Sequence, residues 1–120
     1  MNPKDRRFDM YLHDMLTSMN RIEEYINGLE FLEFKRNYMV VDAVVRNFEI
    51  IGEASKHIPE KITIQYFEIP WKKMYALRNI ISHEYFGLDY EMIWQIAKNE
   101  LPKNKLDLIE LIEKEKNNLD

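Results

Sequence analysis

The sequence predicts an all-α fold, an antiparallel up-and-down bundle of four to five helices. Three observations predict it. Only 3 Gly and 4 Pro punctuate 120 residues, so long helices joined by short loops are expected. Apolar residues recur at helical spacing along most of the chain. The one stretch with β character, around Thr63, Ile64 and Tyr66, has no obvious partner strand.

The first helix is expected over about residues 4–28. Phe8, Met15, Ile22 and Leu29 recur every seven residues, with Tyr11, Ser18 and Tyr25 between them. Asn2-Pro3 suits its start and Gly28 its end. The segment "EFLEFKRN" follows as a helical turn that tucks Phe31 and Phe34 inward. A second helix spans about 37–57, with Val41, Val44, Phe48, Ile51 and Ser55 on one face. Pro59 ends it. "EKITIQYFEIP" reads as a loop holding at most one extended or helical turn. Pro70-Trp71 opens a third helix that runs to about 84, where Gly87 suits a stop. Asp89 reads as the N-cap of a fourth helix, with Glu91 in its first turn and Ile93, Trp94, Ala97 and Leu101 as its apolar face. Pro102 is expected to break it. A fifth helix over about 103–117 would face Leu106, Ile109 and Ile112 inward.

Composition bounds the rest. The length suits one domain over residues 1–120, long enough to bury a core without staples. Apolar residues are 46% and charged residues 32%, the balance of a soluble globule. Without cysteine there is no disulfide, thiolate metal site or cysteine nucleophile. No apolar run of about 18 residues exists, so no membrane partner is expected. The charged start "MNPKDRRFDM" lacks an apolar signal core, and a cytoplasmic protein is expected. The three histidines lack metal-ligand spacing, so neither a metal nor another cofactor is expected. A net charge of −4 argues mildly against RNA or DNA as a partner, though not against a local or dimer-built basic patch.

The stretch "RNIISHEY", residues 78–85, carries the chemistry. At about 100° per residue, Arg78, Ser82 and Tyr85 project along one line, and Asn79 and His83 along its neighbour. Leu77, Ile80 and Ile81 cover the other side. The polar side therefore carries hydrogen-bonding groups, not a plain run of charge. Loosening of the helix near Gly87 would let His83 swing toward Arg78. A histidine moves protons near neutral pH, and an arginine offers a planar fork that matches phosphate. Together they suit cleavage of RNA without metal, by attack of a 2′-hydroxyl on the adjacent phosphorus. The plainer alternative is an arginine paired with Glu84 or a neighbouring helix, and a helix-end histidine capping carbonyls.

The stretch "RNIISHEYFGLD", with "NFEIIGEASKHIP" at 47–59, "IPWKKMYALRN" at 69–79 and the opening "YLHDMLTSMNRIEEYI", resembles the HepT-like toxins of the HEPN superfamily. These are the toxin halves of HepT/MntA toxin–antitoxin pairs, and the likeness covers nearly the whole chain. It implies a HEPN-like helical domain and a homodimer with two motifs facing across a cleft. It also implies a type VII toxin acting as a metal-independent endoribonuclease on tRNA or mRNA, with no DNA partner. The antitoxin would be an MntA-like nucleotidyltransferase that moves AMP from ATP onto Tyr85. By the same resemblance His83 would be general base or acid, Arg78 would stabilise the scissile phosphate, and Asn79 would orient substrate or histidine. The alternative function is a non-catalytic helical module that binds a nucleotide or a partner.

Other residues carry weaker signals. Arg46, Glu49 and Glu53 could line the same cleft, and Arg46 and Ser82 are kept as substrate contacts. The plainer reading is a solvated ion-pair stripe with Asp42 and Lys56. Gly52, costly inside a helix, would permit close helix approach. Trp71, Trp94 and the methionines read as core, and Lys72 and Lys73 as solvated.

Overall fold

The computed structural model describes the backbone of residues 3–84 and 87–119, with side chains at 8–84 and 87–116. Asn2, Tyr85 and Phe86 lie outside the described residues. Helix α1 (Pro3–Ile26) buries Phe8, Leu12, Met15, Met19, Ile22 and Ile26, alternating steps of four and three along one stripe. Tyr25 falls beside that stripe and is exposed, unlike the Tyr11–Ser18–Tyr25 line read from sequence. Gly28 closes the turn with φ of 79°, a left-handed backbone that glycine adopts without cost.

Helix α2 (Phe31–Arg36) is the expected turn. Glu33 Oε1 accepts from the Glu30 N–H at 2.9 Å, and Phe34 is fully buried with its ring 5.1 Å from that of Trp94. Helix α3 (Tyr38–Ser55) starts where Asn37 Oδ1 accepts from the Val40 N–H at 3.2 Å. Its predicted face is buried throughout. The loop expected at 60–70 contains a helix, α4 (Glu60–Gln65). Ile58, Ile62 and Ile69 anchor this region in the core, and β propensity has no ladder to act through.

Helix α5 (Trp71–His83) packs along α3, and α3 packs along α1. Asp89 caps α6 (Tyr90–Gln95) as expected, its Oδ1 accepting from the Met92 N–H at 3.1 Å. The expected break at Pro102 does not occur. A π turn over Ile96–Glu100 joins α6 to α7 (Leu101–Leu119), with the Leu101 N–H donating to Ile96 O five residues back. Proline lacks an N–H and its ring presses on the carbonyl four residues earlier, and the wider turn just before Pro102 absorbs both defects. Leu101, Leu108, Leu111 and Ile112 face the core, whereas Leu106, expected inward, is 66% exposed. The long elements α1, α3, α5 and α6–α7 form the helical bundle. Trp71 and Trp94 are buried in it, and Met15 and Met19 fill its centre, whereas Met10 and Met39 are exposed. No helix among the described residues is long and apolar enough to cross a membrane.

Candidate active site

The site begins at the contact between α3 and α5. A Cβ on Gly52 would stand 2.4 Å from Arg78 Cβ and 2.6 Å from Met74 O, so only glycine lets the helices come this close. That approach places the base of Arg78 directly on α3. One residue further along α3, Glu53 takes the guanidinium. Arg78 Nε lies 3.2 Å from Glu53 Oε2, an ion pair whose N–H is not aimed at that buried oxygen in hydrogen-bond geometry. Arg78 Nη1 donates to Asn79 Oδ1 at 3.1 Å. Glu53 Oε1 lies 3.6 Å from His57 Nε2, a pair that is ionic when the imidazole is protonated. The His57 ring stacks on Tyr11, centroids 4.4 Å apart and planes 12° apart.

These groups open onto a cleft of about 220 Å³ lined by Tyr11, Asp14, Arg46, Glu49, Glu53 and Arg78. Arg46 is exposed and lies 4.0 Å from Glu49. Arg46, Glu49 and Glu53 therefore line one cleft with Arg78, and Glu53 is engaged by Arg78 rather than belonging only to a solvated stripe. Lys56, assigned to that stripe, instead stands over the Tyr75 ring at 5.9 Å.

The remaining motif residues sit further along α5. Ser82 is exposed one turn beyond Arg78. His83 is the last helical residue, exposed, and is not among the residues lining the Arg78 cleft. Glu84 leaves the helix with φ of −126°, and its N–H donates to Ile80 O at 2.8 Å. Leu77 and Ile81 are buried, whereas Ile80, expected on the apolar side, is 37% exposed. Tyr85, the expected AMP acceptor, lies outside the described residues. The structure thus joins Arg78 and Arg46 at one cleft, bonds Asn79 to Arg78 from outside that lining, and leaves His83 off it at the helix end. The plainer sequence reading of Arg78, an ion pair with a neighbouring helix, is met by Glu53.

Sequence reasoning passed over His57 and Tyr11 and gave Glu53 no specific partner. The signal was Gly52. A glycine inside a helix marks a close crossing, and the residue after it stands at that crossing. The guanidinium keeps N–H groups beyond those facing Glu53 and Asn79, enough to hold an anion. Yet the cleft sets Asp14, Glu49 and Glu53 against two guanidinium groups, so it is not a strongly basic pocket on its own.

A profile of the family described as Ribonuclease HepT-like matches residues 15–114. The chain belongs to the ribonuclease HepT-like family. The match runs from α1 through α7 and includes Arg78, Asn79, His83 and Tyr85. The chain is 42% identical over 98 residues to the provisionally named RNase MJ1380 of Methanocaldococcus jannaschii, covering 82% of this chain and 90% of that one. It is 38% identical over 95 residues to "Probable ribonuclease HepT" of Thermococcus cleftensis, covering 79% and 86%. It is 34% identical over 106 residues to the provisionally named RNase TTE0752 of Caldanaerobacter subterraneus, covering 88% and 95%. No solved structure matches the chain significantly.

Proposed function

We propose that the protein is an endoribonuclease and the toxin of a HepT/MntA-like type VII toxin–antitoxin pair. The observation that carries this reading is the seat of Arg78, fixed by Gly52 and Glu53 at the mouth of an open cleft in a HepT-like chain. The Arg-x4-His-x-Tyr motif supplies the other groups. A ribose 2′-hydroxyl attacks the adjacent phosphorus while the His83 imidazole takes its proton. Arg78 stabilises the charge gathered on the five-coordinate phosphorus. The imidazolium so formed gives that proton to the departing 5′-oxygen, leaving a 2′,3′-cyclic phosphate and a 5′-hydroxyl. Asn79 holds the guanidinium in orientation, and Ser82 and Arg46 meet flanking phosphates. DNA lacks the attacking hydroxyl and is not a substrate. The acid and base are side chains, so the reaction proceeds without metal.

The protein acts as a homodimer in the cytoplasm, on tRNA or mRNA. A second copy sets a second motif opposite the first and supplies the proximity of His83 to a phosphate held by Arg78. An MntA-like nucleotidyltransferase transfers AMP from ATP to Tyr85. The added phosphodiester repels the RNA backbone, and the adenosine fills its space. Residues 1–120 act as one domain throughout.

The position of His83 off the Arg78 cleft, and the engagement of Arg78 by Glu53, favour a second reading: a non-catalytic module that binds a nucleotide or the partner enzyme. Incubating purified protein with RNA in EDTA decides between them. The ribonuclease reading expects cleavage by the wild type and none by His83→Ala or Arg78→Ala. Tight RNA binding with no cleavage by the wild type supports the module. Separately, the partner enzyme with ATP is expected to add AMP mass to Tyr85 and none to Tyr85→Phe.

A further inference from the structure

The acidic lining of the Arg78 cleft leaves a physical question. RNA is a polyanion, and its hold on a protein comes mainly from cations spaced along its phosphates. Those cations stand on the adjoining face of α5. An open groove of about 1090 Å³ runs there, over the face that carries Lys72, Tyr75, Ala76 and Asn79 at helical spacing. From Lys72 to Asn79 that face extends about 10 Å. Lys56, from the end of α3, and Lys73 complete three lysines in the groove against one carboxylate, Glu60. None of the three lysines forms an ion pair among the described residues. Lys56 instead lies 5.9 Å from the Tyr75 ring centroid. Phe67 lines the same groove and is 77% exposed, with the exposed Ile64 in the same lining. Asn79 lines the groove and also accepts from Arg78, so the groove and the arginine share a residue.

We infer that this groove is the track along which a single-stranded stretch of RNA reaches Arg78. Lys56, Lys72 and Lys73 hold its phosphates, and Phe67 and Tyr75 offer ring faces to its bases. An exposed ring beside cations fits unpaired bases, whereas duplex RNA is read through its shape and minor-groove hydroxyls and gives a ring nothing to stack on. The inference rests on the ribonuclease reading for the identity of the occupant, and names single-stranded RNA as the substrate class of that same site.

The test is equilibrium binding of a short labelled oligoribonucleotide, 2′-O-methylated throughout so that it cannot be cut by 2′-hydroxyl attack. The full chain is titrated at several salt concentrations. The double variant Lys72→Ala/Lys73→Ala is expected to bind roughly tenfold more weakly, with a salt slope lower by about two. Phe67→Ala is expected to lose roughly fivefold or more, independently of salt. Lys114→Ala, whose lysine pairs with Glu110 on α7, is expected to bind as the wild type does. Unchanged affinity in the double variant and in Phe67→Ala overturns the inference, as does equal binding of the matching duplex. A change of oligomeric size in Phe67→Ala with RNA affinity intact also overturns it, by assigning the face to a protein contact. The failures separate cleanly. Loss of binding in these variants, in a wild type that cuts no unmodified RNA, keeps the groove and removes the ribonuclease reading. Cutting that these substitutions leave undiminished does the reverse.

Discussion

Gly52 and Glu53 together decide where Arg78 stands. Alanine at 52 would gain about 1 kcal/mol of helix propensity. It would also press a methyl group on a helix carbonyl and on another Cβ, neither of which can swing away. Overpacking of this kind costs about 1–3 kcal/mol, so Gly52→Ala is expected to lower stability in urea unfolding and to displace Arg78. Glu53→Gln probes the same seat from the charge side. The paired side chains are 33% and 46% exposed, so losing the ion pair is expected to cost less than about 1 kcal/mol of stability. The guanidinium nevertheless loses its anchor, and a small misplacement is costly in catalysis. RNA cleavage by Glu53→Gln is expected to fall roughly ten- to hundredfold in kcat, while KM holds or falls because a carboxylate facing the phosphate is gone. At this scale the sequence was legible where chemistry is local. Arg78, Asn79 and His83 stand out by residue type and spacing. The pairing of Glu53 with Arg78 and the stacking of His57 on Tyr11 did not, because those partners lie far apart along the chain and meet only after three helices have packed.

Among the elements, the helices with regular stripes were readable and those shaped by neighbours were not. The α3 face and the Asp89 cap follow from spacing and cap chemistry alone. Asp89→Ala is expected to cost about 1 kcal/mol, measured by thermal unfolding, since the Met92 N–H loses its acceptor. For α4 the sequence left an extended or a helical turn open, because its β-branched residues argue for a strand, and the structure shows the helix with Ile62 buried. Pro102 misled for a related reason: a proline signals a break unless the preceding turn is widened, and no residue in "IAKNE" announces a π turn. Treating the chain as broken there also misplaced the inward face, which is why Leu106 was assigned to the core. The end of α4 is tied to α7 by Tyr66, whose hydroxyl donates to Glu115 Oε2 at 3.0 Å. Burial, then the bond to Glu115 and its charge, push the Tyr66 phenol from 10.0 up to about 12. A phenol raised in this way holds its proton more tightly folded than unfolded. Its contribution is complete below about pH 10 and is lost as pH climbs through about 12. Between those values the wild type is expected to lose stability more steeply than Tyr66→Phe, as chemical unfolding at stepped pH would record.

The whole molecule is elongated, 46 × 29 × 21 Å, as expected when the unbroken run of α6, the π turn and α7 over residues 90–119 spans about 45 Å. Its net charge of −4 hides an uneven surface. Carboxylates crowd the Arg78 cleft, while lysines with no ion pair among the described residues line the adjoining groove. A bulk count of charge sees neither, and this is why composition argued against RNA while family and local geometry argue for it. The bundle class was legible from scarce glycine and helical periodicity. The placement of His83 off the Arg78 cleft was not, since the spacing alone put both residues on one polar side of the helix. The central claim is that Arg78 and His83 cut RNA through its own 2′-hydroxyl. End-group analysis of RNA cut in EDTA tests it most directly. The account predicts 2′,3′-cyclic phosphate and 5′-hydroxyl ends from the wild type and no cut from His83→Ala. Ends bearing a 5′-phosphate, or undiminished cutting by His83→Ala, would contradict it.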